Sequence, residues 1–226
     1  MPIDILHEDA GCIVAAKPPK MLMHGHPRFP DEKPLIAYLE DQFQSKMYIV
    51  HRLDRSASGC VLVAKRPELV KTYQERLRVG TKTYLALCRG EYKGKKKCWV
   101  NNPIKAKGGY KEARSLVYFL GSQASPRCSL FCVQPQTGRF HQVRRHVRDL
   151  THPILGDSEH GDSHVNRWWR ENMGLERLAL HALAIRLHDI FVYCPLFLDQ
   201  RRLFSKLAFW EDVREYISII VGDNQR

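Results

Sequence analysis

Short apolar runs, each stopped by a proline, a glycine or a charge, recur along this chain and favour strands over long helices. CIVAAK, residues 12–17, ends at Pro18 and Pro19, residues that punctuate a strand. GCVLVAK, residues 59–65, is almost unbroken in its apolar character, as expected of a strand buried on both faces. TKTYLALC alternates from Thr81, and EARSLVYFL, RCSLFCVQP, ERLALHALAIRLHD and FVYCPLFL read as further strands. Helical spacing is confined to a few places. Leu35, Tyr38 and Leu39 mark LIAYLEDQF, and Leu69, Tyr73 and Leu77 mark PELVKTYQERLRVG, with Pro67 in the first turn and Gly80 at the exit. A third helix is expected from about Arg139 to Leu150, and the tail FWEDVREYISII also reads as helical. MLMHGHPRFPDEKP, residues 21–34, reads as loop. Helices scattered irregularly among strands favour an α+β domain with a mixed sheet over a doubly wound one. No internal repeat or low-complexity tract interrupts the 226 residues, so one domain over 1–226 is expected.

Charge narrows the function classes. The net charge is +12 and the pI about 9.5, which points to a polyanionic partner and steep salt dependence. KGKKK, residues 93–97, reads as a basic hairpin tip able to grip phosphate. No run approaches the roughly 18 apolar residues of a membrane span, so no membrane partner is expected. MPIDILHEDAG carries acids and no basic n-region, unlike a signal peptide. Seven scattered cysteines read as reduced, mostly buried thiols of a cytoplasmic compartment, with an organelle as the alternative.

Three stretches carry chemistry. In YIVHRLDRSASGC, Asp54 sits between Arg52 and Arg55, with His51 upstream. It fits a solvated turn, a structural ion pair, or a carboxylate kept ionised for catalysis. In TKTYLALC, Lys82, Tyr84 and Ala86 share one strand face; taken alone, Tyr84 fits a core aromatic as well as a catalytic one. In QTGRFHQVRRHVRDLTHPILGD, the helix stripe is Phe140, Val143, Val147 and Leu150. At about 100° per residue Arg144 borders that stripe and Arg145 points away. Arg144 is therefore the cation placed to meet a half-buried partner, and HPILGD reads as a tight turn at the helix exit. Metal signals are weak. Cys128 and Cys132 read as buried thiols, and the pairs His24/His26 and His160/His164 lack a third ligand, so no metal is expected. No phosphate-loop lysine motif, G-x-G-x-x-G or G-x-S-x-G is present.

These three stretches, in this order, resemble the RluA-type pseudouridine synthases. The resemblance rests on H-R-L-D at His51–Asp54 with Ser58 and Gly59, K-x-Y-x-A at Lys82, Tyr84 and Ala86, T-G-R-x-H-Q-x-R-x-H at Thr137–His146, and L-H-A at Leu180–Ala182. RRHVRDLTHPILGDSEHGD, Asn166 and GLERLALHA are similar to the transfer-RNA branch of that family, whose target is a uridine of the T-arm stem, the uridine-65 type. The resemblance implies the pseudouridine synthase fold: a mixed, mostly antiparallel sheet with flanking helices and loops around a central RNA-binding cleft, without an S4 domain. It implies isomerisation of uridine in RNA with no cofactor. It assigns Asp54 as the catalytic carboxylate, nucleophile or base; Arg144 as its partner; and Tyr84 as the residue that stacks on the base and a candidate to take the C5 proton. Arg52 would enter the RNA where the base has left. Arg55, Arg139, His141, Gln142, Arg145, His146 and Arg148 would contact RNA, and Leu180 and His181 would line the pocket. The partner is transfer RNA, with ribosomal RNA or a catalytically inactive RNA-binding domain as alternatives, and a monomer is the default. The family commonly carries Pro-Thr where this chain has Ser56 and Ala57, so a less rigid turn after Asp54 is expected.

Overall fold

In the computed structural model, residues 2–222 are described; Met1 and residues 223–226, the ends of the expected 1–226 domain, lie outside them. The first half of the chain runs β1 (Ile5–Glu8), β2 (Cys12–Lys17), α1 (Leu35–Phe43), β3 (Tyr48–Ile49), β4 (Ser58–Ala64), α2 (Leu69–Val79), β5 (Thr81–Arg89) and β6 (Lys97–Val100). It continues through β7 (Ile104–Ala106), β8 (Gly109–Lys111), β9 (Ser115–Ala124), β10 (Arg127–Pro135) and α3 (Gln142–Asp149). The remainder is α4 (Ser163–Met173), β11 (Leu180–Arg186), β12 (Phe191–Tyr193), α5 (Leu198–Phe204) and α6 (Trp210–Gly222).

The chain divides into two compact units, Met1–Lys82 with His181–Pro195, and Thr83–Leu180 with Leu196–Arg226. In the first unit β4 is central. It pairs antiparallel with β2 and β3 and parallel with β11, and β1 extends β2 on the far side. Every residue of β2 and β4 is buried, so both faces are covered, as the unbroken apolar runs require. The parallel contact places His181 opposite Ser58 and Ala182 opposite Gly59. Gly59 has φ +114°, and a Cβ there would stand 2.2 Å from the Ala182 carbonyl oxygen. Only glycine permits strands to meet that closely.

The second unit holds an antiparallel ladder in which β10 lies between β5 and β9, with β6 on the outer edge of β9. Leu130, Phe131, Cys132 and Val133 of β10 are buried against this ladder. Burial pushes the thiols of Cys128 and Cys132 up to about 12, which fits structural thiols. The short hairpin of β7 and β8 stands apart as a two-stranded sheet. The fold is thus a mixed, mostly antiparallel α+β arrangement. Among the described residues no helix is long and apolar enough to cross a membrane.

Candidate active site

In the first unit, Asp54 lies on the turn between β3 and β4, half-buried, and its carbonyl accepts the N–H of Ala57 at 3.1 Å. This turn is tied from below by Lys17, which is fully buried at the end of β2. Its ammonium donates to the carbonyls of Pro18, Arg55 and Ala57 at 2.9, 3.2 and 2.7 Å. The looseness expected from Ser56 and Ala57 is therefore countered by a buried cation on the two carbonyls that bracket Ser56. Upstream, the His51 Nε2 accepts the N–H of Leu62 in β4 at 3.0 Å. Burial pushes that imidazole down to about 3, with Lys82 adding to the effect and a backbone bond at Arg52 opposing it. His51 is thus a neutral acceptor that fixes the approach to the turn.

The two arginines flanking Asp54 separate. Arg52 is exposed. Arg55 donates from Nε to Glu32 Oε2 at 3.0 Å, meets Glu32 Oε1 through Nη2, and lies 4.6 Å over the Phe29 ring. Its guanidinium pins the loop before α1. His181 is fully buried. Its Nδ1 is 2.9 Å from Ser58 Oγ and its Nε2 2.9 Å from the Cys194 carbonyl oxygen. The carbonyl requires a proton on Nε2, so Nδ1 accepts from the serine. Lys82 Nζ donates to the Leu77 carbonyl at 3.1 Å, and burial lowers its pKa.

In the second unit, Tyr84 is buried in β5 opposite Val133, and Leu180 is buried at the start of β11. Helix α3 is shorter than the sequence suggested, and Phe140 falls before it, 60% exposed. Arg144 points inward as its phase predicts, with only 6% of its side chain exposed. Its Nε and Nη2 donate to Asp157 Oδ2 and Oδ1, both at 2.7 Å, a bidentate pair in which Asp157 is wholly buried. Burial alone would raise the Asp157 pKa. The Arg144 bonds, with the N–H groups of Glu159 and His160 on Oδ1, outweigh it and hold the carboxyl below its ordinary range. Glu159 adds a longer contact to Arg144 Nη2 at 3.5 Å. Asn166 braces the turn, accepting the Gly156 N–H at 2.8 Å and donating to the Asp157 carbonyl at 2.9 Å.

The other α3 residues divide by burial. Gln142 is buried; its Oε1 accepts from Thr137 Oγ1 and the Arg139 N–H at 2.7 and 3.0 Å, and its Nε2 donates to the Arg114 carbonyl and Ser115 Oγ, both at 3.0 Å. His146 is fully buried between Ser115 Oγ at 2.9 Å and the Asn102 carbonyl at 3.1 Å. Both were expected to face RNA. Their polar groups are instead satisfied inside the unit, where they fix α3 against β9. Arg145 is half-buried and donates to the Lys105 carbonyl at 3.0 Å. Arg139 is exposed and donates from Nε to the Glu112 carbonyl, and Arg148 is exposed beside Asp149. His141 precedes the helix in the left-handed region, φ 53°, stacked on Phe140 with ring centroids 3.6 Å apart.

Asp54 thus belongs to the first unit, Tyr84 and Arg144 to the second. Sequence reasoning missed Lys17, which looks like a solvated strand end, and Asp157, hidden in a segment taken for a plain turn. The signal for Asp157 was the short HPILGD connection, which returns the chain within reach of the helix it has just left.

Comparison with known proteins identifies the family to which these two units belong. A family model described as RNA pseudouridylate synthase matches residues 11–149. The tRNA pseudouridine synthase C of Haemophilus ducreyi is 35% identical over 206 residues, 80% of this chain and 84% of that protein. The ribosomal large subunit pseudouridine synthase C of Haemophilus influenzae is 35% identical over 196 residues, 80% of this chain and 60% of that protein. Among solved structures, human RNA pseudouridylate synthase domain containing 4 superposes with a TM-score of 0.75 at 23% identity, covering 90% of this chain and 92% of that one. The chain belongs to the RNA pseudouridylate synthase family. It is accordingly an isomerase that converts uridine to pseudouridine in RNA.

Proposed function

We propose that this enzyme isomerises a uridine in the T-arm stem of transfer RNA, the uridine-65 type. The target is supported by the segment from Arg144 to Asp162, which is similar to the transfer-RNA branch, and by the relatives named tRNA pseudouridine synthase C. A ribosomal RNA target is the second reading, favoured by the ribosomal relative.

The observation that carries the catalytic reading is the placement of Asp54 on a half-buried turn that Lys17 ties at the Arg55 and Ala57 carbonyls. The reaction breaks the bond from C1′ to N1, turns the uracil, and joins C1′ to C5; the C5 proton leaves and N1 gains one. Nothing is oxidised or reduced, so the chemistry needs no cofactor. Asp54 serves as the carboxylate at the sugar, either attacking it or taking a sugar proton. Arg144 is its cationic partner, presented by Asp157. Tyr84 stacks on the base and is the candidate to receive the C5 proton. A stem uridine must leave its stack first, at a cost of a few kcal/mol, and the exposed Arg52 fills the vacated place. The catalytic domain comprises both units and acts as a monomer.

The test is release of tritium from C5-labelled tRNA transcripts by wild type and by Asp54→Asn, in EDTA. Release by wild type alone is expected. Release by Asp54→Asn at the wild-type rate would overturn the role of Asp54. Release from ribosomal RNA fragments but from no tRNA would replace the tRNA target with the ribosomal one.

A further inference from the structure

The sequence offered His160 and His164 as a metal pair without a third ligand. The fold brings His160 together with two other residues. His164 is exposed on the first turn of α4, whereas His160 turns back onto His141, and Glu159 joins them. The His141 Nδ1 lies 3.1 Å from the His160 Nε2 and 3.6 Å from Glu159 Oε2. All three ligand atoms lie within 4.8 Å of one another.

We propose that His141, Glu159 and His160 form a site for a divalent first-row transition ion of the zinc class. A zinc–nitrogen bond is about 2.0–2.1 Å, so two nitrogens on one tetrahedral ion stand roughly 3.3 Å apart. The observed 3.1 Å is within a few tenths of that spacing. Two imidazoles and one carboxylate select this class of ion over magnesium or calcium, which prefer all-oxygen shells. The two rings now share one proton across the 3.1 Å contact; as ligands, both are neutral and carry their protons on their other nitrogens. Three protein ligands leave a fourth position for water or an anionic oxygen.

The ligands are held in advance from both sides. Phe140 stacks on the His141 ring, whose backbone is fixed in the left-handed region. Opposite, Asp157 Oδ1 accepts the N–H groups of both Glu159 and His160, at 3.0 and 2.9 Å. Asp157 is itself locked by Arg144 and Asn166. The loop bearing two of the ligands is thus anchored to buried groups, as supporting contacts around a metal site require. The site adjoins Arg144, which meets Glu159 Oε1 at 3.5 Å, but the isomerisation chemistry needs no metal and the test reads metal binding directly, so either idea can fail while the other survives.

The protein, stripped with EDTA and dialysed, is titrated with Zn2+ by equilibrium dialysis and with Co2+ by visible absorption. Magnesium serves as the competitor and melting temperatures as the check on folding. One saturable equivalent is expected in wild type, undisturbed by magnesium, with Co2+ bands free of thiolate charge transfer. Affinity should fall by about tenfold or more in His160→Gln and in Glu159→Gln, and hold in His164→Gln. Glu159 is exposed, so its variant tests the site with the fold intact. Absence of a saturable equivalent in wild type, a thiolate-bearing Co2+ spectrum, or wild-type affinity in both His160→Gln and Glu159→Gln would overturn the proposal.

Discussion

Replacing Asp157 by asparagine removes one charge and almost no volume, which makes it a clean probe of what holds Arg144. The pair is dry: 6% of the arginine side chain and none of the aspartate is exposed. Asparagine keeps one acceptor oxygen, but its amide nitrogen then faces a guanidinium, and a buried cation loses its counter-charge. Removing one partner of a buried pair costs about 3–5 kcal/mol, because the survivor is left uncompensated. Asparagine's remaining acceptor puts the expectation near the lower bound, about 3 kcal/mol. For a chain of this size each kcal/mol moves the melting temperature by about 2–4 °C, so a drop of roughly 6–12 °C follows. Glu159→Gln is the matched control. It touches the same arginine at 3.5 Å with 58% of its side chain in water, and such a contact is worth at most about 1 kcal/mol. The acid limb gives a second reading. The Asp157 pKa is depressed below its ordinary value of 3.8 in the fold. Its contribution is therefore complete above that value and lost as pH falls through the folded one. Stability of Asp157→Asn should fall less steeply than wild type below pH 3.8. Equal melting temperatures for wild type and Asp157→Asn would refute the claim that this carboxylate holds the arginine.

Lys17→Met replaces the ammonium under the Asp54 turn with an apolar chain of similar length. Single-turnover rates should fall by up to about a hundredfold, as for a misplaced reactive group, while filter binding shows RNA affinity retained; an unchanged rate would remove Lys17 from the site. Gly59→Ala forces a Cβ to within 2.2 Å of a backbone oxygen at φ +114°. Backbone strain alone costs roughly 1–3 kcal/mol, so urea unfolding should show at least that loss. His51 has a folded pKa of about 3 against an ordinary 6.5. The unfolded chain takes up the proton first, so stability is full above pH 6.5 and declines as pH falls toward 3. His51→Gln should flatten that limb in pH-dependent denaturation.

What the sequence revealed was local. Periodicity and end signals located α1 and α2 closely: the Leu69, Tyr73, Leu77 stripe and Gly80 stop match a helix ending at Val79. The apolar runs of β4 and β11 became strands because a run buried on both faces has few other options. Helix α4 was overlooked although its ends are marked. Asp162 accepts the N–H groups of His164 and Val165, and Gly174 closes it in the left-handed region. Its Trp168 and Trp169 and scattered charges conceal any apolar stripe. In the site, the helical phase put Arg144 inward correctly, while Gln142 and His146, expected from the resemblance to contact RNA, are buried. An apolar-stripe argument counts only apolar residues, and both turn inward because Ser115 and neighbouring carbonyls satisfy them. Lys17 is legible only in three dimensions, since the Arg55 and Ala57 carbonyls that make its burial tolerable are remote in the chain, and Asp157 is signalled only by the short connection that returns the chain to α3.

The same sorting changes what the net charge of +12 means. Counterion release rewards cations that face solvent and can meet a phosphate. Lys17, Arg144 and Arg177 cannot, since all three are buried, and Arg144 and Arg177 are paired with Asp157 and Asp199. Arg55 is held by Glu32. Within the second unit, the exposed cations concentrate instead at the Lys93–Lys97 turn and on the β7–β8 hairpin, at Lys105, Lys107 and Lys111. Tyr110 stands 70% exposed among them. Helix α3, the most basic segment to the eye, has Arg144 buried and Arg145 half-buried, whereas the Lys93–Lys97 segment, which joins two strands that do not pair, and the β7–β8 hairpin hold their lysines in solvent. Reversing Lys95 and Lys96 should therefore lower the salt dependence of RNA binding more than reversing Arg145, which is half-buried and bonded to the Lys105 carbonyl. Measured slopes of affinity against salt, compared per reversed cation, would decide it: a larger loss at Arg145 would mean that the helix, not the turn, carries the phosphate contacts.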